Sequence, residues 1–217
     1  MSEAMMVLIL KGVWETVMMT FVSGFFGLIF GLPVGILLYL HRPGHMFSYP
    51  ILYQSLSALV NIFRAIPFII LLVWIIPFTR FIVGSSIGLE AAIVPLTVCA
   101  IPFIARMIEN ALLEIPFGLI EAARAMGATP LQIIYKVLLP EALPALVNSV
   151  TITLITLVGY SAMGGAVGAG GLGQIGYQYG YIGYNATVMN FVLVLLVFLV
   201  CFIQILGNYV MKMVTHK

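Results

Sequence analysis

From Ala142 to Met211 the chain runs 70 residues without an Asp, Glu, Lys or Arg. A soluble domain carries charge at roughly one residue in four. Over the whole chain charged residues make up 7% and hydrophobic ones 63%, so most of the surface must face something other than water, and lipid is the candidate. Nine Lys or Arg against seven Glu leave a net charge of +2, too small and too scattered to hold a nucleic-acid backbone. Cys99 and Cys201 each sit inside an apolar run and read as small buried hydrophobes with no disulfide between them. Lys11 interrupts the first apolar stretch, which therefore reads as an amphipathic lead-in to a membrane helix and not as a cleaved signal peptide.

About 20 apolar residues cross the ~30 Å of hydrocarbon in a bilayer. Five stretches qualify, residues 16–40, 57–79, 87–107, 143–163 and 187–211. The expected fold is an all-α polytopic integral membrane protein, a single transmembrane domain over residues 1–217 with five transmembrane helices. Between the fourth and fifth, Gly164 to Gly183 holds nine of the 21 glycines, a density that breaks a regular helix and marks the connection. Cytoplasmic segments collect Lys and Arg. A cytoplasmic C-terminus puts Arg42, Arg106, Arg124, Lys136, Lys212 and Lys217 inside and leaves Lys11 and Arg80 outside, so the N-terminus is expected outside.

On that orientation residues 108–142 form a cytoplasmic loop, and the 36 residues from Arg106 to Glu141 hold seven of the 16 charges. Two short helices are expected there. Pro116 opens the first and Gly127 supplies a left-handed stop. Thr129 and Gln132 have the spacing of a capping box for the second, which Leu139-Pro140 should end. The first helix is about 16 Å long, too short to span. Glu121 and Arg124 can pair on one face, and Phe117, Ile120 and small Ala122, Ala123 and Ala125 leave others apolar or slim. Such a helix can seat in a partner's groove; short interfacial helices are equally common in cytoplasmic loops at large.

Glu121-Ala122-Ala123, three residues, Gly127, nine residues and then Val137-x-Leu139-Pro140 resembles the loop signature of importer-type ABC transporter permeases, with Val137 standing where Ile is usual. The resemblance implies a coupling helix that docks on an ATPase subunit, and assigns that role to Glu121, Ala122, Ala123, Arg124, Gly127 and Pro140. Chain length, Arg64-Ala65-Ile66-Pro67 and the glycine-rich run from Ala166 to Tyr181 extend the likeness to the short five-helix permeases of methionine importers. What this implies is a bacterial inner-membrane homodimer with two cytoplasmic ABC ATPase subunits and an external methionine-binding protein. ATP and magnesium would be bound by the ATPase, no cofactor by this chain, and D- and L-methionine would be the cargo. Other relatives of the family carry other amino acids or metal chelates.

Arg64 falls inside the second stretch, seven residues from its start. That is about 10 Å of helix, within reach of snorkelling, so Arg64 reads as a structural anchor or a dimer-stabilising residue ahead of a substrate contact, with Pro67 beside it as a kink. Tyr160, Ser161, Met163 and Gly164 close the fourth stretch, where small residues would let two copies approach and Met163 could plug the axis between them. Met163 could instead face lipid or pack within its own bundle. His41, His45 and His216 lack metal-ligand spacing, and no nucleotide-binding loop or nucleophile motif occurs, so the chain is expected not to be an enzyme. An ion-coupled secondary transporter would place ionisable groups along its path, and the uncharged stretch speaks against one.

Overall fold

A computed structural model describes residues 3–45 and 47–215, all helix and connecting turns; His216 and Lys217 lie outside the described residues. Helix α1 (Glu3–His41) runs unbroken for 39 residues, about 58 Å, so the expected lead-in and first span are one rod. Lys11 and Glu15, one turn apart, pair at 3.6 Å on it.

Helix α5 (Leu89–Leu113) is the centre of the bundle, with twelve of its residues buried. α1 lies along it through Gly27, Gly31 and Gly35. A Cβ at Gly31 would stand 2.9 Å from the Ile101 carbonyl oxygen, and one at Gly35 2.6 Å from that of Ala105. Small residues at four-residue spacing are what lets two membrane helices touch backbone to backbone. α8 (Leu139–Gly165) packs against both α1 and α5, and α10 (Ala186–Val214) against α8. The shared core comprises Met19, Leu96, Ile104, Ile108 and Leu157 together with Ile120 and Ile133 from the 108–142 segment.

The second expected span is corrected. In place of one helix over 57–79 the chain forms α2 (Pro50–Ala65), α3 (Phe68–Trp74) and α4 (Ile76–Val83), with a 98° bend between α2 and α3. Pro67 has no N–H to continue the ladder and drives Ile66 to extended angles, φ −74 and ψ 122. Four rods, α1, α5, Pro130–Gly165 and α10, are long and apolar enough to span a membrane, and the bent α2–α3 pair makes a fifth where it crosses as one broken span.

The loop over 108–142 is shorter than expected, because α5 continues to Leu113 and the second short helix does not stop at Leu139-Pro140. α6 (Phe117–Ala125) stands alone, whereas α7 (Pro130–Ile133) passes through a π turn at Ile134–Leu138 directly into α8. Pro140 cannot donate to the carbonyl four residues back; the wide turn just before it takes up the mismatch. The glycine-rich run also breaks less than expected. Helix is lost at residues 166–170, then resumes as α9 (Gly171–Ile175) and a π segment, Gly176–Ile182. The Gly171 N–H donates to the Glu15 carboxylate at 2.7 Å and the Leu172 N–H to the Thr16 hydroxyl at 2.9 Å, so the return is fastened to α1.

Candidate functional site

Two surfaces stand out, one at α6 and one along α8. Ile120 and Ala123 turn the inner face of α6 into the core beside Ile115, Ile133 and Leu138. Ala123, expected among the docking residues, is buried against this core. Glu121, Ala122 and Arg124 face outward, and they do not pair: the ion pairs among the described residues are Lys11 with Glu15, and Arg42 and Arg106 with Glu109. Leu119 and Met126, not singled out from the sequence, share the outer side, and Met126 is 82% exposed.

Gly127 ends α6 at φ +80. Its N–H donates to the Arg124 carbonyl at 2.9 Å, and the Ala128 N–H to the Ala123 carbonyl at 3.1 Å, the bond pair of a Schellman stop. Two residues later the expected capping box is present. The Thr129 hydroxyl accepts from the Gln132 N–H, and the Gln132 side chain accepts from the Thr129 N–H at 2.8 Å. The turn between α6 and α7 is thus fixed at both ends. Pro140 is exposed in the first turn of α8, well along the rod from α6.

Behind α6 lies a polar anchor that the sequence reading missed. Glu109 on α5 is completely buried. It takes the Arg106 guanidinium on one oxygen, and Arg42 at 3.5 Å and the Tyr53 hydroxyl at 3.1 Å on the other. Arg106 also donates to the Ser57 hydroxyl at 2.8 Å and the Asn61 side chain at 2.9 Å. One carboxylate therefore ties the end of α1, the start of α2 and α5 together. His45 follows Arg42 and sits edge-on to Tyr39, at 4.7 Å between centroids, and to Phe117 of α6. Its pKa is pushed below the usual histidine range by burial and by Arg42, with Glu109 opposing, so the ring is neutral at neutral pH. No group of metal-ligating side chains occurs among the described residues.

Breaking the Glu109 cluster gives a sharp stability test. Glu109→Ala strands Arg106, 15% exposed at its side chain, beside a cavity; a buried pair broken on one side costs about 3–5 kcal/mol. Arg42 is 40% exposed and keeps its water, so about 3 kcal/mol is expected, read as an earlier unfolding transition in detergent. An unchanged transition would remove the anchor role.

On α8, Asn148, Gly159 and Met163 are exposed, with Ile152 and Thr156 half-buried between them. These positions recur every three or four residues and form one outward stripe. Met163, 54% exposed, ends it. Ser161 and Gly164 are not part of it: Ser161 is buried and donates to the Val158 carbonyl, and a Cβ at Gly164 would lie 3.1 Å from that of Ala169. The glycine-rich return folds onto that side of α8 and closes it. Tyr160 borders the stripe, stacked on Phe68 at 4.8 Å.

Arg64 stands further along its helix than the sequence suggested, exposed in the last turn of α2. α2 begins at Pro50 and not near Ser57, so Arg64 stands 14 residues from its start, about 21 Å along the helix. Its guanidinium lies over the Phe103 ring, 5.9 Å from the centroid.

Apolar rods long enough to span a membrane, with the short helix α6 outside them, are the build of a multi-pass membrane protein. The family of binding-protein-dependent transport system inner membrane components matches residues 6–217, and the chain belongs to that family. It is 78% identical over 165 residues, 76% of each chain, to the D-methionine transport system permease protein MetI of Salmonella typhimurium. To the probable D-methionine permease of Vibrio cholerae it is 52% identical over 210 residues, 97% of this chain and 93% of the other. A subunit in a structure of inward-facing conformations of the MetNI methionine ABC transporter superposes over the full length of both chains, with TM-score 0.98 and 75% identity.

Proposed function

We propose that this chain is the permease of an ATP-driven importer of D- and L-methionine, working as a homodimer that forms the translocation path. Two cytoplasmic ATPase subunits bind ATP and magnesium and dock on α6, and an external methionine-binding protein delivers the cargo. The observation that carries this reading is the full-length likeness, at 75% identity, to a subunit of a methionine ABC transporter. In this reading the chain hydrolyses nothing itself.

The geometry supports a mechanical role. α6 is held to the core by Ile120 and Ala123, and its Schellman stop joins it stiffly to α7. α7 runs on without interruption to Gly165, so a push on the outer face formed by Leu119, Glu121, Ala122, Arg124 and Met126 travels along the rod. Met163 lies 33 residues from Pro130, about 50 Å away at 1.5 Å per residue. Rigid elements that shift as bodies are how a local push becomes a distant opening. α2 buries one residue, Val60, and with the α8 stripe it offers the surface for a second copy.

Two readouts test the assembly. Expressed with its ATPase, the chain should purify as a complex of two copies of each. In a background without Cys99 and Cys201, Ser2→Cys should react with an impermeant thiol reagent applied from outside, and His216→Cys should be shielded. A chain that purifies alone, or termini labelled alike, contradicts the arrangement.

A further inference from the structure

Arg42 and Arg106 share the carboxylate of Glu109, but among the described residues no carboxylate pairs with Arg64. An arginine about 21 Å along a membrane helix without a counter-ion is costly, and such residues turn toward protein or a water-filled path. Arg64 turns toward a cavity of about 150 Å³, walled by Cys99 and Phe103 of α5 and by Thr153, Thr156 and Tyr160 of α8. A cavity of that size admits a group about as large as benzene.

The lining is selective in charge. Thr153 and Thr156 spend their hydroxyl protons on the carbonyls of Ser149 and Ile152, at 2.8 and 2.9 Å. Beside the weak Cys99 thiol, the free donors are the Arg64 guanidinium and the Tyr160 hydroxyl, which makes no hydrogen bond among the described residues. No acidic side chain borders the space. A cation finds no counter-charge there, whereas a carboxylate finds a planar fork of donors that matches its two oxygens. The rings of Phe103 and Tyr160 add apolar walls for a side chain. Tyr160 lies three residues below Met163 on α8, so a solute that passes Met163 reaches this cavity within about one helical turn.

We infer that the Arg64–Tyr160 cavity is a station in the membrane that binds the α-carboxylate of an amino acid with an apolar side chain. The guanidinium forks the two carboxylate oxygens, the Tyr160 hydroxyl donates to one of them, and the side chain lies against the aromatic walls. This inference rests on the permease reading.

The test uses the full complex with its ATPase and a photoreactive amino acid bearing a diazirine in an aliphatic side chain, with attachment mapped by mass spectrometry. Labelling is expected in residues 99–103 and 153–160 and should fall at least tenfold under excess L-methionine. In Arg64→Gln, recovered as an intact complex, it should fall at least fivefold. The matching diazirine amine without a carboxylate should label both proteins equally weakly. If Arg64→Gln does not assemble, Arg64→Lys, which keeps the charge and loses the fork, should show a threefold loss, and Tyr160→Phe about twofold. Labelling that ignores Arg64, that is as strong with the amine, or that misses both segments overturns the site. A complex that labels as expected but does not transport methionine would instead overturn the methionine reading and leave the carboxylate site standing.

Discussion

Gly127→Val is expected to cut ATP-driven uptake about tenfold or more while the chain still inserts in the membrane and its spans still pack. No atom outside the immediate chain lies within 4 Å of where a Cβ at Gly127 would stand, so the cost is not a clash. It is the left-handed backbone at φ +80, which a β-branched residue resists by about 1–2 kcal/mol. The chain can relieve that strain by giving up the Schellman bonds of Gly127 and Ala128, and α6 is then no longer rigidly joined to α7. A lever that bends at its joint loses the motion it should carry. Gly127→Asn, which tolerates this backbone better, should retain more uptake than valine. Normal transport by Gly127→Val with the ATPase still bound would show that the stop is dispensable.

Met163→Ala is expected to raise uncoupled methionine flux or basal ATP hydrolysis severalfold. Met163 ends the outward stripe of α8, and it is exposed within a single copy. If two α8 stripes meet about a two-fold axis, two flexible thioethers face each other across the path, able to fill an irregular gap and to yield to a solute. Alanine leaves the gap open. Met163→Cys, in a background without Cys99 and Cys201, should form a dimer-crossing disulfide under oxidation, which requires Cα atoms within about 7 Å. A variant pair with no leak, unaltered ATPase rate and no cross-link would put Met163 against lipid.

Much of this was legible in residue patterns. Charge-free runs locate apolar rods because a charge inside lipid is expensive wherever it occurs. Thr129 with Gln132, and Gly127, are readable because caps depend on neighbours a few residues away. The errors arose where distant segments decide. Arg106 and Glu109 look like an exposed pair at a helix end until Arg42 and Tyr53 close over the carboxylate. Ala123, Ser161 and Gly164 have the small side chains of contact residues, but the direction each faces is set by the core under α6 and by the glycine-rich return over α8. The place of Arg64 along α2 had a local signal that went unused: Pro50 is well suited to a first helical position, and starting α2 there moves the charge about 10 Å further along the helix.

We propose that this chain, moved by a separate ATPase, conducts methionine, and reconstitution tests it. Proteoliposomes holding the chain with its ATPase, methionine-binding protein on the binding-protein face and Mg-ATP on the ATPase face should accumulate labelled L-methionine and D-methionine above the outside concentration. Accumulation should stop when ATP or the ATPase is left out. Accumulation driven by an ion gradient without ATP, or of other amino acids in preference to methionine, would contradict it.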